Sequence, residues 1–287
     1  MFSYRHGFHA GNHADVLKHV VLVQMLAYLT AKETPIWFVD SHAGAGAYAL
    51  DGSFAQKNGE FKDGIGKLWG RKDLPPLLAD YLKQVKALNP DGELRHYPGS
   101  PQIALQMLRA QDHIQLFELH TTESKVLQKY FAKAGRRVSV QAMDGLTGLR
   151  AVFPPRSRRG LALIDPSYED KDDYRKVVEA MGDALQRFVT GVYAIWYPQV
   201  QRQESDDLPG LLRQLAESTG NAGCDWLQVS LTVKAPVKGG LGLHGSGMFV
   251  FNPPWTLKDQ LQAVMPTLVK LLKQDGKATF KLKGEQR

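Results

Sequence analysis

Residues 161–169, Leu-Ala-Leu-Ile-Asp-Pro-Ser-Tyr-Glu, combine types that suit one chemical task. An apolar run stops at Asp165, followed by Pro166 and, two residues on, the aromatic Tyr168. The exocyclic amine of adenine or cytosine is a poor nucleophile, because its lone pair is conjugated into the ring. Asp165 and the carbonyl of Pro166 can each accept one of its N–H bonds, leaving the nitrogen facing a methyl donor while Tyr168 stacks on the base. Pro166 fixes its own φ and restricts Asp165, so both acceptors are set before substrate arrives. Alone, the tetrapeptide also reads as a plain strand followed by a turn.

Further polar residues end other predicted strands. Ile36–Asp40 runs into Ser41-His42-Ala43-Gly44-Ala45-Gly46, and Ile114–Glu118, Val138–Ala142 and Leu161–Asp165 carry Glu118, Asp144 and Asp165 at or just beyond their carboxyl ends. Ligands of open α/β sheets collect on that rim. The acids suit a nucleoside: one for ribose hydroxyls, one beside the adenine. Gly44-x-Gly46-x-x-Ala49 also fits a relaxed dinucleotide pattern, which leaves a nicotinamide-dependent oxidoreductase as a competing reading. Two features oppose it: Leu50-Asp51-Gly52-Ser53 interrupts any helix opening at Gly46, and hydride transfer has no use for Asp165-Pro166-Ser167-Tyr168.

Four of the nine histidines fall within the first 19 residues. Their spacings match no structural zinc site. Asn12 or Asp15 is expected to open a helix with Val16, Val20, Leu22, Val23, Leu26 and Leu29 on its apolar face, placing Lys18 and His19 in its first turn, opposite an anionic carboxylate or phosphate.

Strand–helix alternation predicts an α/β protein with a mostly parallel sheet. Trp226–Val233 and Gly247–Phe251 are expected to form an antiparallel pair completing the sheet edge, and Lys277–Lys283 a short edge strand or a tail. About 70 residues separate the first strand from the second, far more than a βα unit uses. Lys62–Trp69 and Pro76–Leu88 in that interval look helical, so residues 50–97 read as a small, substrate-facing helical insertion in a domain of residues 1–49 and 98–287.

The 287 residues suffice for one sizeable core. No apolar run approaches the ~20 residues that span a bilayer, the N-terminus lacks a signal-peptide apolar stretch, and the single Cys224 excludes an internal disulfide framework and a thiolate-rich metal site. A soluble cytoplasmic protein is expected. The net charge of +7 suits a polyanionic partner, with Arg5, Arg136, Arg137, Arg156, Arg158, Arg159, Lys234 and Lys238 as candidate phosphate contacts.

Tyr4-Arg5-His6, His9 through His19, Asp40 through Gly46, Tyr97-Pro98-Gly99-Ser100-Pro101 and Asp165 through Glu169 together resemble the bacterial RlmJ methyltransferases, and the likeness continues through Trp196-Tyr197-Pro198 and Asn252-Pro253-Pro254-Trp255. The resemblance implies a Rossmann-like class I methyltransferase sheet with a helical insertion; a monomer without metal or membrane association is expected. It implies transfer of a methyl group from S-adenosylmethionine to N6 of one adenine in 23S ribosomal RNA. It implies cofactor contacts at His19, His42, Ser100, Glu118, Asp144, Gly145 and Asp165, Asp165 as the catalytic acceptor beside the Pro166 and Tyr168 read above, and an RNA contact at Tyr4. Ser167 stands where the common motif has a second proline. A methyltransferase acting on DNA adenine, another RNA or a small amine would share the cofactor side, and a binding module without activity is the remaining alternative. Asn252-Pro253-Pro254-Trp255 matches the general amino-methyltransferase pattern better than the catalytic candidate does, yet it follows the edge pair and is expected to be a structural turn.

Overall fold

The computed structural model describes residues 6–52, 55, 57, 59–219, 224–237, 239 and 242–285. Tyr4, Arg5 and Lys238 lie outside the described residues. The strands are β1 (Trp37–Asp40), β2 (Ala47–Ala49), β3 (His96–Pro98), β4 (His113–Phe117), β5 (Val138–Gln141), β6 (Gly160–Ile164), β7 (Val192–Gln199), β8 (Trp226–Thr232), β9 (Gly245–Phe251) and β10 (Thr279–Glu285). The α-helices are α1 (His13–Thr30), α2 (Pro76–Lys86), α3 (Ser100–Met107), α4 (Thr121–Phe131), α5 (Gly145–Val152), α6 (Asp172–Arg187), α7 (Gln203–Ser218) and α8 (Leu257–Leu272).

Among the described residues the main sheet has eight strands in the order β10-β8-β9-β7-β6-β1-β4-β5. The run from β7 to β5 is parallel, and β9, β8 and β10 pair antiparallel. This is the Rossmann-like methyltransferase sheet that the resemblance implies. β6 is buried at every position, as its unbroken apolar run requires for a strand covered on both faces. The strand order reverses between β1 and β6, so the switch-point crevice opens beyond Asp40 and Asp165.

The late strands differ in one respect from expectation. β9 is not at the edge; it lies between β7 and β8, buried throughout, and β10 takes the edge. On β10 the exposed Thr279, Lys281, Lys283 and Glu285 alternate with partly buried residues. Charged edges of this kind discourage pairing with other chains.

Asn12 caps α1, its Oδ1 accepting from Ala14 N at 2.9 Å and Asp15 N at 3.0 Å. Starting at His13, the helix carries Lys18 and His19 in its second turn, not its first. It is buried nearly all round: Val16, Leu17, Val20, Val21, Leu22, Met25 and Leu26 have no exposed surface. At about 1.5–3 kcal/mol per buried aliphatic side chain, this face outweighs the several kcal/mol of holding a charged Lys18 within the protein.

In residues 50–97, Pro76–Lys86 is helical, but the predicted helix at Lys62–Trp69 is replaced by two 3-10 turns, Glu60–Asp63 and Ile65–Lys67. Close approach to the turn that leads into α1 explains the break. A Cβ on Gly64 would fall 2.0 Å from Gly11 O. Tyr81, Leu78, Leu82 and Val85 of α2 join the core beneath α1. β2 and β3 form a separate antiparallel pair that closes this segment back onto Gly99 and Ser100.

Asn252 follows β9 at its pairing with the start of β7, on the rim opposite Asp165. Its φ is +51°, and its Nδ2 donates to Val189 O at 2.8 Å and Gly191 O at 2.7 Å. It is a structural turn. Asn252→Ala should cost about 1–3 kcal/mol in denaturant unfolding and leave affinity for S-adenosylhomocysteine, read by calorimetry, unchanged. No described helix is long and apolar enough to cross a membrane.

Candidate active site

A cleft lies over the carboxyl ends of β1, β4, β5 and β6. Its lining includes His19, His42, Ser100, Glu118, Asp144, Gly145 and Asp165, every cofactor candidate named from the sequence. A second cleft lies beside it. The two share His6, Lys18, Asp165 and Ser167, so Asp165 stands where they meet.

The glycine loop after β1 is shaped for close approach. Gly44 and Gly46 have φ of +58° and +86°, and a Cβ on Gly44 would lie 2.2 Å from the Tyr48 hydroxyl. The loop leads into β2 rather than a helix, so the dinucleotide pattern lacks the strand–turn–helix context it needs. Gly44 N donates to Glu118 Oε2 at 2.8 Å, and His120 N donates to Oε1 at 2.7 Å. Glu118 therefore braces the loop while retaining lone pairs for ribose hydroxyls; burial pushes its carboxyl above the ordinary range.

Asp144 caps α5, accepting from Thr147 N at 2.8 Å. A Cβ on Gly145 would lie 1.9 Å from Ser41 O, so only glycine lets this helix start reach the loop. Ser41 Oγ lies 2.8 Å from His42 Nδ1, and burial pushes the His42 imidazole down to about 4. Burial takes His19 to about 3. Both rings are neutral at physiological pH. Among the described residues His19 Nε2 is buried with no hydrogen-bond partner, so a ligand atom can supply one. Ser100 Oγ donates to Asp40 Oδ2 at 2.6 Å, and burial pushes Asp40 up to about 7. Asp40 was not among the candidates; its place at the end of β1, beside the other strand-end acids, was the available signal. The cradle, the orphaned imidazole nitrogen and the acids fit S-adenosylmethionine.

Asp165 is 14% exposed, and its Oδ2 lies 2.5 Å from Lys18 Nζ. Lys18, 4% exposed, also holds Asp15 Oδ1 at 2.8 Å, and Asp15 Oδ2 takes His6 Nε2 and Gly11 N, each at 2.9 Å. The expected facing of Lys18 toward an anion is met by a side chain of the protein itself. Burial would neutralise Lys18, but Asp15 and Asp165 reverse this and raise its pKa. Burial would also raise Asp15, yet His6 and Lys18 hold it well below the ordinary range. At Asp165 burial prevails and the carboxyl is shifted upward, with Lys18 opposing.

Tyr168 departs from its expected role. Its φ is +54°, rare for a bulky residue, and its ring is 3% exposed, lying 4.5 Å from the Tyr174 ring with its hydroxyl on Trp196 O at 2.9 Å. Arg202 Nη1 donates to Tyr168 O at 3.0 Å. A ring so enclosed offers no open face for stacking; it fixes the strained turn that holds Asp165 and Pro166.

The basic candidates divide by rim. Arg136, Arg137, Arg156, Arg158 and Arg159 precede β5 and β6, at the amino ends of the strands, opposite Asp165. Arg137 donates to the carbonyls of Leu105, Leu108 and Arg109, and Arg159 to those of Leu29 and Thr34. These two fasten the sheet's far end. Lys234 lines the second cleft, with Arg202, which the sequence reading passed over. The N-terminal histidines also disperse: His9 Nδ1 meets Glu60 Oε2 at 3.0 Å and His19 Nδ1 meets the Tyr97 hydroxyl at 2.7 Å. Among the described residues no three His, Cys, Asp or Glu side chains are arranged to hold a metal ion.

The family model described as "Ribosomal RNA large subunit methyltransferase D, RlmJ" matches residues 33–283. A Haemophilus influenzae protein named "Ribosomal RNA large subunit methyltransferase J" is 45% identical, over 98% of this chain and 97% of its own length. An Escherichia coli protein of the same name is 46% identical, over 93% of each. A crystal structure of a Legionella pneumophila protein superposes with a TM-score of 0.86 at 34% identity, covering 96% of this chain and 98% of that one. Matched by the family model over most of its length and by these relatives from end to end, the chain belongs to the RlmJ family of ribosomal RNA large subunit methyltransferases.

Proposed function

We propose that this protein, acting as a monomer, methylates the exocyclic N6 of an adenine in 23S ribosomal RNA. The carrying observation is the position of Asp165 at the junction of the two clefts. The first cleft is the cofactor side, with His19, His42, Ser100, Glu118, Asp144 and Gly145 as its contacts. The second, bordered by Lys234 and Arg202, is the RNA side. Residues 50–97 form the insertion facing it, contributing Glu60 and Asp63 to its wall. Tyr4 is the RNA contact that the family resemblance supplies.

S-adenosylmethionine, when bound, supplies an electrophilic methyl group on a sulfonium. Asp165 and the Pro166 carbonyl hold the amine by its two N–H bonds, so that its lone pair meets that carbon, and positioning of this kind supplies much of the rate. The amine proton becomes acidic only as the N–C bond forms, and Asp165 then accepts it. Tyr168 keeps the turn rigid. An adenine stacked in a helix must first leave its stack, at a few kcal/mol.

The test incubates the protein with labelled S-adenosylmethionine and, separately, protein-free 23S RNA, duplex DNA and adenosine, followed by nucleoside analysis. N6-methyladenosine from the RNA alone is expected, with RNA affinity falling steeply as salt rises. Label in DNA, or on another base, overturns the reading.

A further inference from the structure

Two tyrosines with no part in the reaction stand behind His19. Tyr97 and Tyr81 are fully buried, the Tyr97 hydroxyl lying 2.7 Å from His19 Nδ1 and 3.0 Å from the Tyr81 hydroxyl. No other acceptor serves either hydroxyl among the described residues. That settles the direction of the chain. Were Tyr97 to donate to Tyr81, the Tyr81 proton would be stranded in a dry core. With Tyr81 donating to Tyr97, and Tyr97 to His19 Nδ1, every hydroxyl proton has an acceptor. A neutral imidazole carries one proton, which must then sit on Nε2. That nitrogen has no partner among the described residues, and the ring lines the cofactor cleft.

We infer that Tyr81 and Tyr97 are positioning residues that lock His19 as its Nε2–H tautomer, making it a fixed hydrogen-bond donor to the carboxylate of the cofactor's amino-acid end. Burial keeps the ring neutral, so it gains no second proton, and the Tyr97 hydroxyl on Nδ1 holds the one proton on Nε2. The chain also gives the 50–97 segment a function on the cofactor side, since Tyr81 lies on α2 and Tyr97 on β3. The inference rests on His19 being a cofactor contact.

Long-range proton–nitrogen correlation spectra of the labelled, cofactor-free protein read the tautomer directly. The wild-type ring should show a protonated Nε2 and a bare Nδ1. Tyr97→Phe should move a substantial share of the proton to Nδ1 and weaken S-adenosylhomocysteine binding, measured by calorimetry, about tenfold. Tyr81→Phe should preserve the tautomer, because Tyr97 still donates to His19. In a His19→Gln background, where an amide replaces the imidazole, Tyr97→Phe should have no further effect on affinity. A wild-type ring protonated at Nδ1, or a Tyr97→Phe protein with unchanged tautomer and affinity, overturns the inference. A wild-type protein that binds no S-adenosylhomocysteine but shows the Nε2–H ring overturns the cofactor role of His19 alone, which separates the two failures.

Discussion

Asp165→Asn should lower the methyl-transfer rate by on the order of 10²–10⁴-fold while changing S-adenosylhomocysteine affinity less than about tenfold. The size follows from what an amide presents. In the native protein Asp165 Oδ2 meets Lys18 at 2.5 Å, leaving carboxylate lone pairs to face the second cleft. The asparagine oxygen would take the lysine, because an ammonium cannot accept a hydrogen bond. Its NH₂ would then face the substrate amine, donor against donor, and no group would remain to take the proton. Glu118→Gln should do the reverse, raising KM for the cofactor with kcat nearly kept, because its oxygens brace the loop around Gly44 and reach no reacting atom. Single-turnover rates beside calorimetry separate the two effects. If Asp165→Asn retains full rate, the amine is held elsewhere, and the Asn252 turn, 2.8 Å from Val189 O on the opposite rim, would have to be reconsidered.

The carboxylates were legible because each obeys a local rule. An apolar run that ends at an acid places that acid on the carboxyl rim of a parallel sheet, and Glu118 and Asp165 follow it, while Asp144 lies three residues beyond the end of β5. What surrounds them obeys no local rule. Lys18 and Asp165 are 147 positions apart, and Tyr81, Tyr97 and His19 come from three elements, joined only when α2 packs beneath α1. The insertion of β9 between β7 and β8 is likewise a long-range pairing, where sequence adjacency suggested an edge hairpin. Tyr168 shows a different limit. Aromatic identity suggested a stacking platform, but a φ of +54° turns the ring into the wall, and no composition rule signals that angle. The arginines before β5 and β6 carry charge that suits RNA, yet their position at strand starts already put them on the wrong rim.

Lys18→Met should destabilise the protein by about 3–5 kcal/mol in urea unfolding at pH 7. Methionine keeps most of the buried aliphatic stem, so the loss isolates the ammonium. Without it, Asp165 loses its ammonium partner and Asp15 keeps only His6 and the Gly11 N–H, with no cation left between the two carboxylates. The dependence on pH provides a check of sign. In the wild type Asp15 is held below its ordinary pKa, so its contribution is present above about 3.9 and is lost as pH falls through that range. Removing Lys18 removes one of the groups that hold Asp15 down and the main group opposing the upward shift of Asp165, so both folded carboxyls titrate higher. A raised folded pKa means stability is lost as pH rises through it. The variant should therefore lie closest to the wild type near pH 5 and furthest from it near pH 8. Adding Asp15→Asn to Lys18→Met should recover part of the deficit, giving a coupling energy that neighbours in one network show and distant pairs do not. Exposed pairs such as Arg175 with Glu179, 58% and 60% exposed, set the contrast, since water screens them and deleting either charge should leave the unfolding midpoint nearly unchanged. A Lys18→Met deficit equally small, or flat from pH 5 to pH 8, would mean that Asp15 and Asp165 are solvated well enough to do without the lysine, and the account of a carboxylate held rigid for catalysis would lose its mechanical basis.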